Sequence, residues 1–254
     1  MHRPADVTVV IAALNEAMTI EEIVAACRPL AREVIVVDGH SQDRTDVLAA
    51  AAGAKVLKDG GRGKGEALRV AIPHITTPVT VFIDADGSHD PRDIPRLVAP
   101  IAAGSADHVT GSRLIGGSSE LHGGFDEFFR LAGSSLITAC FNWKFGVRLS
   151  DSQNGFRAIR TEVLQCLDLR EDSTTIEQEM ILETLRRGYR MAEVPAHEYR
   201  RRFGASHIHV WRAAPRYLWS LFRGLAGPAG RRETTAPRVA DKAPLERPSQ
   251  GIPT

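Results

Sequence analysis

Five short runs rich in β-branched residues, Val7–Ala12, Val34–Val37, Lys55–Leu57, Val79–Ile83 and His108–Thr110, are separated by four segments with helical spacing. The helical segments lie around Ile20–Ala31, Asp43–Ala52, Glu66–Ile75 and Asp93–Ala103. Such alternation leaves a chain few ways to bury its apolar faces, and it predicts βαβ units around a mostly parallel sheet flanked by helices. The expected class is therefore α/β and Rossmann-like. Ser41 and Asp43 are suited to start the second helix and Gly53 to stop it. At 254 residues the chain is long enough for one large domain with a full core.

The fourth run ends in Asp84-Ala85-Asp86. In a parallel sheet that position opens into the crevice where α/β proteins bind ligands. Two clustered carboxylates there repel each other and lose hydration, so they call for a cation. A hard divalent metal that also holds a diphosphate answers that need, which points to nucleotide-sugar chemistry. Capping of the following turn is the simpler role for such a pair, and the rest of the chain has to choose between them.

Composition narrows the class further. A formal charge of +1 gives no global nucleic-acid signal, yet Arg200 to Arg232 contains eight arginines and no Asp or Glu. A one-signed block beside aromatics suits an anionic surface or ligand. Cys27, Cys140 and Cys166 are odd in number and scattered, with neither zinc spacing nor a disulfide framework, as in a reducing cytosol. The Val7–Leu14 run is short for a signal segment, and no stretch reaches the roughly 18 apolar residues of a membrane span, predicting a soluble or peripheral protein.

Gly60-Gly61-Arg62-Gly63-Lys64-Gly65 looks like a phosphate loop but fails the Walker pattern. Lys58 stands where the first Gly belongs, and Gly65 where Ser or Thr would hold magnesium. A glycine-flanked lysine that opens a helix can still approach an anion; a flexible surface turn is the alternative. Asp84 to Ser88 also resembles the first motif of haloacid-dehalogenase phosphatases, with Asp84 as nucleophile. No G-D-x-x-x-D element follows it, so that reading ranks second.

The motifs in order resemble family 2 glycosyltransferases of the dolichyl-phosphate (polyprenyl-phosphate) mannose synthase type. Val9-Val10-Ile11-Ala12-Ala13-Leu14-Asn15-Glu16 is similar to the first strand with its N-E ending, and Val36 to Thr45 to V-D-D-G-S-x-D-x-T. Gly63-Lys64-Gly65-Glu66-Ala67 matches G-K-G-x-A, Asp84-Ala85-Asp86 the D-x-D, and Gly111-Ser112-Arg113 G-S-R. Asp151 with Gly155-Phe156-Arg157 matches D-x-x-x-G-F-R, while Glu193-Val194-Pro195 and Arg201 to Ser206 resemble the closing elements. The resemblance covers roughly residues 7–210 and implies a GT-A type fold.

It also implies roles. Ala12, Leu14, Glu16, Asp38, Lys64 and Asp84 would bind the nucleotide, GDP-mannose or UDP-glucose. Asp84 and Asp86 would hold Mg2+ or Mn2+ against the diphosphate and stabilise the leaving group. Arg113, Arg130 and Ser134, with Arg201, Ser206 and His207, would grip the phosphate of a polyprenyl acceptor, a task that suits the planar fork of arginine. Arg130 and Ser134 are four apart, on one face of a helix. Asp86, Asp151 and Arg113 are the expected catalytic residues. A phosphate acceptor is already an anion, so Asp151 need not act as a base and orients acceptor or sugar instead. Inversion by in-line displacement is the implied stereochemistry; a soluble or protein-linked acceptor is the alternative.

Some positions depart from the family pattern. Ala12 replaces Pro, Leu14 replaces Tyr, and Gly39 replaces the second Asp of V-D-D, which leaves the choice between GDP and UDP open. His207 replaces Lys and makes that charge pH-sensitive near neutrality. The expected organisation is a catalytic domain over 1–210, an amphipathic, membrane-interfacial helix over 211–227 and a disordered tail over 228–254. In the helix, Trp211, Leu218, Phe222 and Leu225 form one stripe, with Arg212, Arg216 and Arg223 on another side. Ordinary packing on the domain is the competing use of that stripe. The expected location is cytoplasmic, peripheral at the inner face of the membrane.

Overall fold

The computed structural model of the protein describes residues 4–119, 125–201, 203, 216, 217 and 219–222, with the backbone alone for residues 4 and 125–131. Seven strands form one sheet: β1 (Val7–Ala13), β2 (Glu33–Asp38), β3 (Lys55–Lys58), β4 (Val79–Phe82), β5 (His108–Ser112), β6 (Arg157–Arg160) and β7 (Met191–Pro195). Their order across the sheet is β3-β2-β1-β4-β6-β5-β7. Only β6 runs against its neighbours β4 and β5; the other pairings are parallel. The strands predicted from sequence are present, within one or two residues at each end.

Eight α-helices lie among the described residues: α1 (Ile20–Cys27), α2 (Thr45–Ala51), α3 (Lys64–Ala71), α4 (Ile94–Ala102), α5 (Arg113–Gly116), α6 (Phe125–Phe145), α7 (Thr161–Cys166) and α8 (Ile176–Arg186). The sequence patterns run α1 and α3 several residues further. In both, a proline intervenes: Pro29 and Pro73 have no N–H to continue the ladder, and the chain tightens into the 3-10 turns Arg28–Leu30 and Ile72–His74. The N-cap position of α2 is Arg44 rather than Ser41 or Asp43, although Asp43 accepts the Thr45 N–H at 3.0 Å; Gly53 has φ +94°, as the helix-stop reading expects.

Alternation along each strand splits the core in two. Val7, Val9, Ile11, Val34 and Val36 pack with α1 and α4 on one face, while Val10, Ile35, Val37 and Phe82 pack with α3, α7 and α8 on the other. A side chain of this size contributes about 1.5–3 kcal/mol when fully buried, so a one-residue slip of β1 would forfeit several such terms at once. A third cluster joins α6 and α8 to Tyr217 and Leu221.

The topology creates the crevice. From β1 the chain builds outward through β2 to β3, then returns to place β4 on the opposite side of β1. That reversal is the switch point at which open α/β sheets bind ligands. Because β6 runs backwards, its first residue, Arg157, pairs with Phe82 and Thr110 at the same edge where β4 and β5 finish. The 150–156 segment therefore arrives at the crevice beside Asp84.

Candidate active site

Backbone lacing fixes the first wall. Asn15 and His40 both adopt the left-handed region, with φ 56° and 64°, where the loops after β1 and β2 cross. Asn15 N–H donates to Ser41 Oγ at 2.9 Å, Gln42 N–H to Asn15 Oδ1 at 2.7 Å, and Glu16 N–H to Thr45 Oγ1 at 2.9 Å. Much of the Ser41–Thr45 motif thus holds one loop to the other. Asp38, the last residue of β2, is buried; Oδ2 accepts from Ser41 N–H at 3.2 Å and pairs with Lys58 at 3.3 Å, while Oδ1 has no partner. His40 Nε2 lies 2.8 Å from the Asp59 carbonyl and ties in the loop after β3.

The glycines around Lys64 serve packing. A Cβ on Gly65 would fall 2.1 Å from the Glu171 carbonyl oxygen, and one on Gly63 (φ +129°) 2.7 Å from that of Asp172. Only glycine lets α3 start this close to the 171–172 backbone. The result presents Lys64 to the crevice floor, where its ammonium bonds Asp84 and lies 2.5 Å from Glu177 Oε1 on α8. Burial works against the Asp84 carboxylate, yet Lys64, then His89 and Arg201, outweigh it and hold the group below its ordinary value. Lys64 shows the mirror effect: burial opposes its charge, and the two carboxylates keep it firmly protonated.

Asp86 is arranged likewise. Arg201 lies 2.8 Å from Asp86 and 3.8 Å from Glu16. Burial, with Asp86 and Asp84 nearby, raises the Glu16 carboxyl above its ordinary value, and Arg201 offsets only part of this. Each carboxylate of the D-x-D is thus covered by a cation that a second carboxylate shares.

The other wall is a polar brace. Arg113 Nε and Nη2 bond the Asp151 carboxylate at 2.6 and 3.0 Å, and Nη1 reaches Glu198 at 3.3 Å. Glu193 accepts the Ser150 and Asp151 N–H groups at 2.9 and 2.8 Å. Burial would push the Asp151 carboxyl up, but hydrogen bonds and charge from Arg113 hold it low. A carboxylate so committed is a weak proton acceptor.

The crevice thus gathers Glu16, Asp38, Lys64, Asp84, Asp86, Arg113, Asp151 and Arg201. Ala12 lies in β1 against the second core cluster, and Leu14 stands exposed at the rim. Ser134 is one helical turn from Thr138, whose hydroxyl is 2.8 Å from Ser152 Oγ beside Asp151. The Arg130 side chain, Ser206 and His207 lie outside the described residues.

Sequence reasoning missed Glu177, His89 and Glu198, and gave no role to Arg157 of the G-F-R motif, which is buried. Glu177 and Glu198 belong to no motif; His89 follows Asp86 by three residues, and that closeness was its one signal. The His89 ring stacks on Phe156 with centroids 5.2 Å apart, and its Nε2 is 3.9 Å from Asp84. Arg157 gives Nη1 to the Glu177 carbonyl at 2.8 Å and Nη2 to that of Asn154.

Among the described residues no group of three or more His, Cys, Asp or Glu could hold a metal ion. Two hard carboxylates one residue apart still fit Mg2+ or Mn2+, because such ions are held by one or two carboxylates while substrate phosphates and water complete the shell.

Comparison with known proteins accounts for the assembly. The chain is 32% identical over 207 residues to glycosyltransferase AglJ of Haloferax volcanii, covering 81% of this chain and 67% of that protein. It is 30% identical over 206 residues to dolichyl-phosphate hexose transferase of the same organism, covering 80% and 86%. The matches span 67% of the length of AglJ, 55% of the hexosyltransferase Agl6 of the same organism and 48% of an uncharacterized glycosyltransferase of Mycobacterium bovis. The fold is similar to that of glucosyl-3-phosphoglycerate synthase from Mycobacterium tuberculosis solved with Mn2+, UDP-glucose and phosphoglyceric acid. The TM-score is 0.70 at 25% identity, over 88% of this chain and 81% of that one. A family model, Glycosyl transferase family 2, matches residues 8–168. With a sheet of GT-A type, a D-x-D at its switch point and this match over more than half its length, the chain belongs to glycosyl transferase family 2.

Proposed function

We propose that the protein is a metal-dependent, inverting glycosyltransferase that moves a hexose, mannose or glucose, from a nucleotide sugar to polyprenyl phosphate. The observation that carries this is the covering of Asp84 and Asp86 by Lys64 and Arg201. A divalent ion and a diphosphate bound together supply the complementary charges: carboxylates to the metal, cations to the phosphates. Mg2+ or Mn2+ held by Asp84 and Asp86 would stabilise charge on the departing nucleoside diphosphate. Glu16 and Asp38 would accept hydrogen bonds from ribose or base, beside Ala12 and Leu14. Asp151, fixed by Arg113 and Glu193, would orient acceptor or sugar. Arg113, Arg130, Ser134, Arg201, Ser206 and His207 would bind the acceptor phosphate.

The lipid acceptor is supported by the dolichyl-phosphate relative and by one surface. On α6 the exposed residues Ala132, Leu136, Ala139 and Trp143 follow one another at spacings of 4, 3 and 4. Trp143 is 84% exposed, and Trp219 and Phe222, stacked at 6.2 Å, are 64% and 66% exposed. Arg148 and Arg216 are exposed as well, and aromatics among cations suit an interfacial contact with an anionic membrane. No helix among the described residues is long and apolar enough to cross a membrane. In this reading residues 1–210 form the catalytic domain and 211–227 an interfacial helix at the inner face of the membrane. A soluble phosphorylated acceptor is the second reading, favoured by the phosphoglyceric acid bound to the M. tuberculosis relative.

A product assay with Mn2+ and a short polyprenyl phosphate, comparing GDP-mannose with UDP-glucose, tests the proposal. One donor should yield a glycolipid that disappears with Asp86→Asn. Donor turnover that needs Asp86 but gives no glycolipid, even with the lipid saturating, would reject the lipid acceptor and favour the soluble one.

A further inference from the structure

Glu177, the second residue of α8, lies outside every motif recognised in the sequence and is buried. Its carboxylate is the second partner of Lys64, opposite Asp84. Two carboxylates around one ammonium repel each other, a cost that a simple pair avoids. Yet the fold makes room for the arrangement. A Cβ on Gly155 would stand 2.8 Å from Asp84 Oδ2, 2.8 Å from Glu177 Oε1 and 2.9 Å from Lys64 Nζ. The Gly155 backbone is outside the left-handed region, so crowding by the triad rather than conformation calls for glycine there.

From this juxtaposition we propose that Glu177 is a positioning residue that retains the Lys64 ammonium whenever Asp84 turns to a divalent cation. The inference rests on the metal reading above. Without Glu177, a cation approaching Asp84 must strand a half-buried ammonium, a costly state. With Glu177, the ammonium keeps one charge-assisted bond and stays on the crevice floor, beside the donor diphosphate. A bond of that kind is worth about tenfold or more in affinity.

Calorimetric titration of the full chain with Mn2+ alone tests this in four forms: unaltered, Glu177→Gln, Lys64→Met and the double variant. Glu177→Gln should weaken Mn2+ binding about tenfold, and the same change in the Lys64→Met background by less than about twofold. An equal loss in both backgrounds means Glu177 acts only as a nearby charge, and overturns the proposal. So does the absence of any loss while Lys64 is present. If the unaltered protein binds Mn2+ neither alone nor with UDP or GDP present, the metal reading falls and takes this one with it; binding with equal losses removes this one alone. Thermal unfolding of each form verifies folding, and Glu177→Asp, expected to retain affinity within about threefold, carries the test should the glutamine variant not fold.

Discussion

The two edges of the sheet treat carboxylates in opposite ways. At the edge away from the crevice, Asp107 precedes β5 and takes Arg190 Nε and Nη2 at 3.0 and 2.9 Å, the Arg190 N–H at 2.9 Å and Arg160 Nη1 at 3.0 Å. One acid meets two guanidiniums, and burial of its carboxyl is outweighed chiefly by Arg190, so it stays ionised. At the crevice the ratio inverts: Glu16, Asp86, Asp84 and Glu177 share Arg201 and Lys64. The first arrangement closes the ends of β5, β6 and β7 together. Among the described residues the second leaves negative charge in excess and suits a site that receives a cation. Local charge balance therefore separates a clamp from a binding site, although both are made of ordinary ion pairs.

Substitutions at the two edges can break the comparison. The largest effect should come from Asp86→Asn, which removes a D-x-D carboxylate and should lower kcat/KM for glycosyl transfer by about 100-fold or more. The variant's unfolding midpoint should stay near that of the parent, since repulsion with Glu16 is relieved as the Arg201 pair is lost. An unfolded variant would place Asp86 among the clamps. Asp107→Asn should do the reverse. Because both its arginines reach solvent, the cost should be about 1–2 kcal/mol, below the 3–5 of a fully buried pair, with turnover per folded molecule unchanged. Urea denaturation and a rate assay on the same sample would separate the two quantities.

Gly155→Ala sharpens the contrast on a smaller scale. Its Cβ meets the far ends of three charged side chains rather than backbone, so the triad should yield before the fold does. We expect Mn2+ affinity to fall about fivefold, with less than about 1 kcal/mol lost in stability. A stability loss without any change in affinity would show the glycine to be structural.

A further effect, absent at neutral pH, concerns pH itself. His108 in β5 is buried, with Nδ1 2.9 Å from Thr184 Oγ1 and Nε2 unpartnered; burial, then Arg157, pushes its pKa well below the ordinary value. The unfolded chain binds this proton near pH 6.5 while the folded chain does not. Stability should therefore be unaffected by His108 above that pH and fall below it, by at most about 1.4 kcal/mol per pH unit. Thermal melts from pH 7 to 5 should show a shallower decline for His108→Gln, which can keep the Thr184 bond.

The sequence is most legible where one residue type has one physical use. Runs such as Val34–Val37 have little choice but to be buried strands, and the D-x-D at a strand end marks the crevice. β6 is illegible for the opposite reason. Its four residues include Arg157 and Arg160, and Arg157 can be buried only because the carbonyls of Asn154, three residues before it, and Glu177, 20 residues after it, receive it. Lys64 shows a subtler limit. Its presence in the site follows from the G-K-G pattern, but its resting partners do not, since Glu177 lies 113 residues away and belongs to no motif. Periodicity reports which face a residue takes, not which charge it will meet across the fold.

The reversed strand has a consequence for how such a protein can be altered. β5 ends and β6 begins side by side at the crevice edge, with Thr110 opposite Arg157. The described parts of the intervening segment, 113–119 and 125–156 with α5 and α6, join the sheet at those two neighbouring strand ends, like a cassette held at two adjacent slots. An exchange confined to the part between Arg113 and Ser150 should keep the strand order and the wall built from β1 and β2, whereas Asp151, Gly155 and Phe156 are held by Arg113, the Lys64 cluster and the core and have to stay. The part of the molecule above the crevice can then be varied without the frame beneath it being rebuilt.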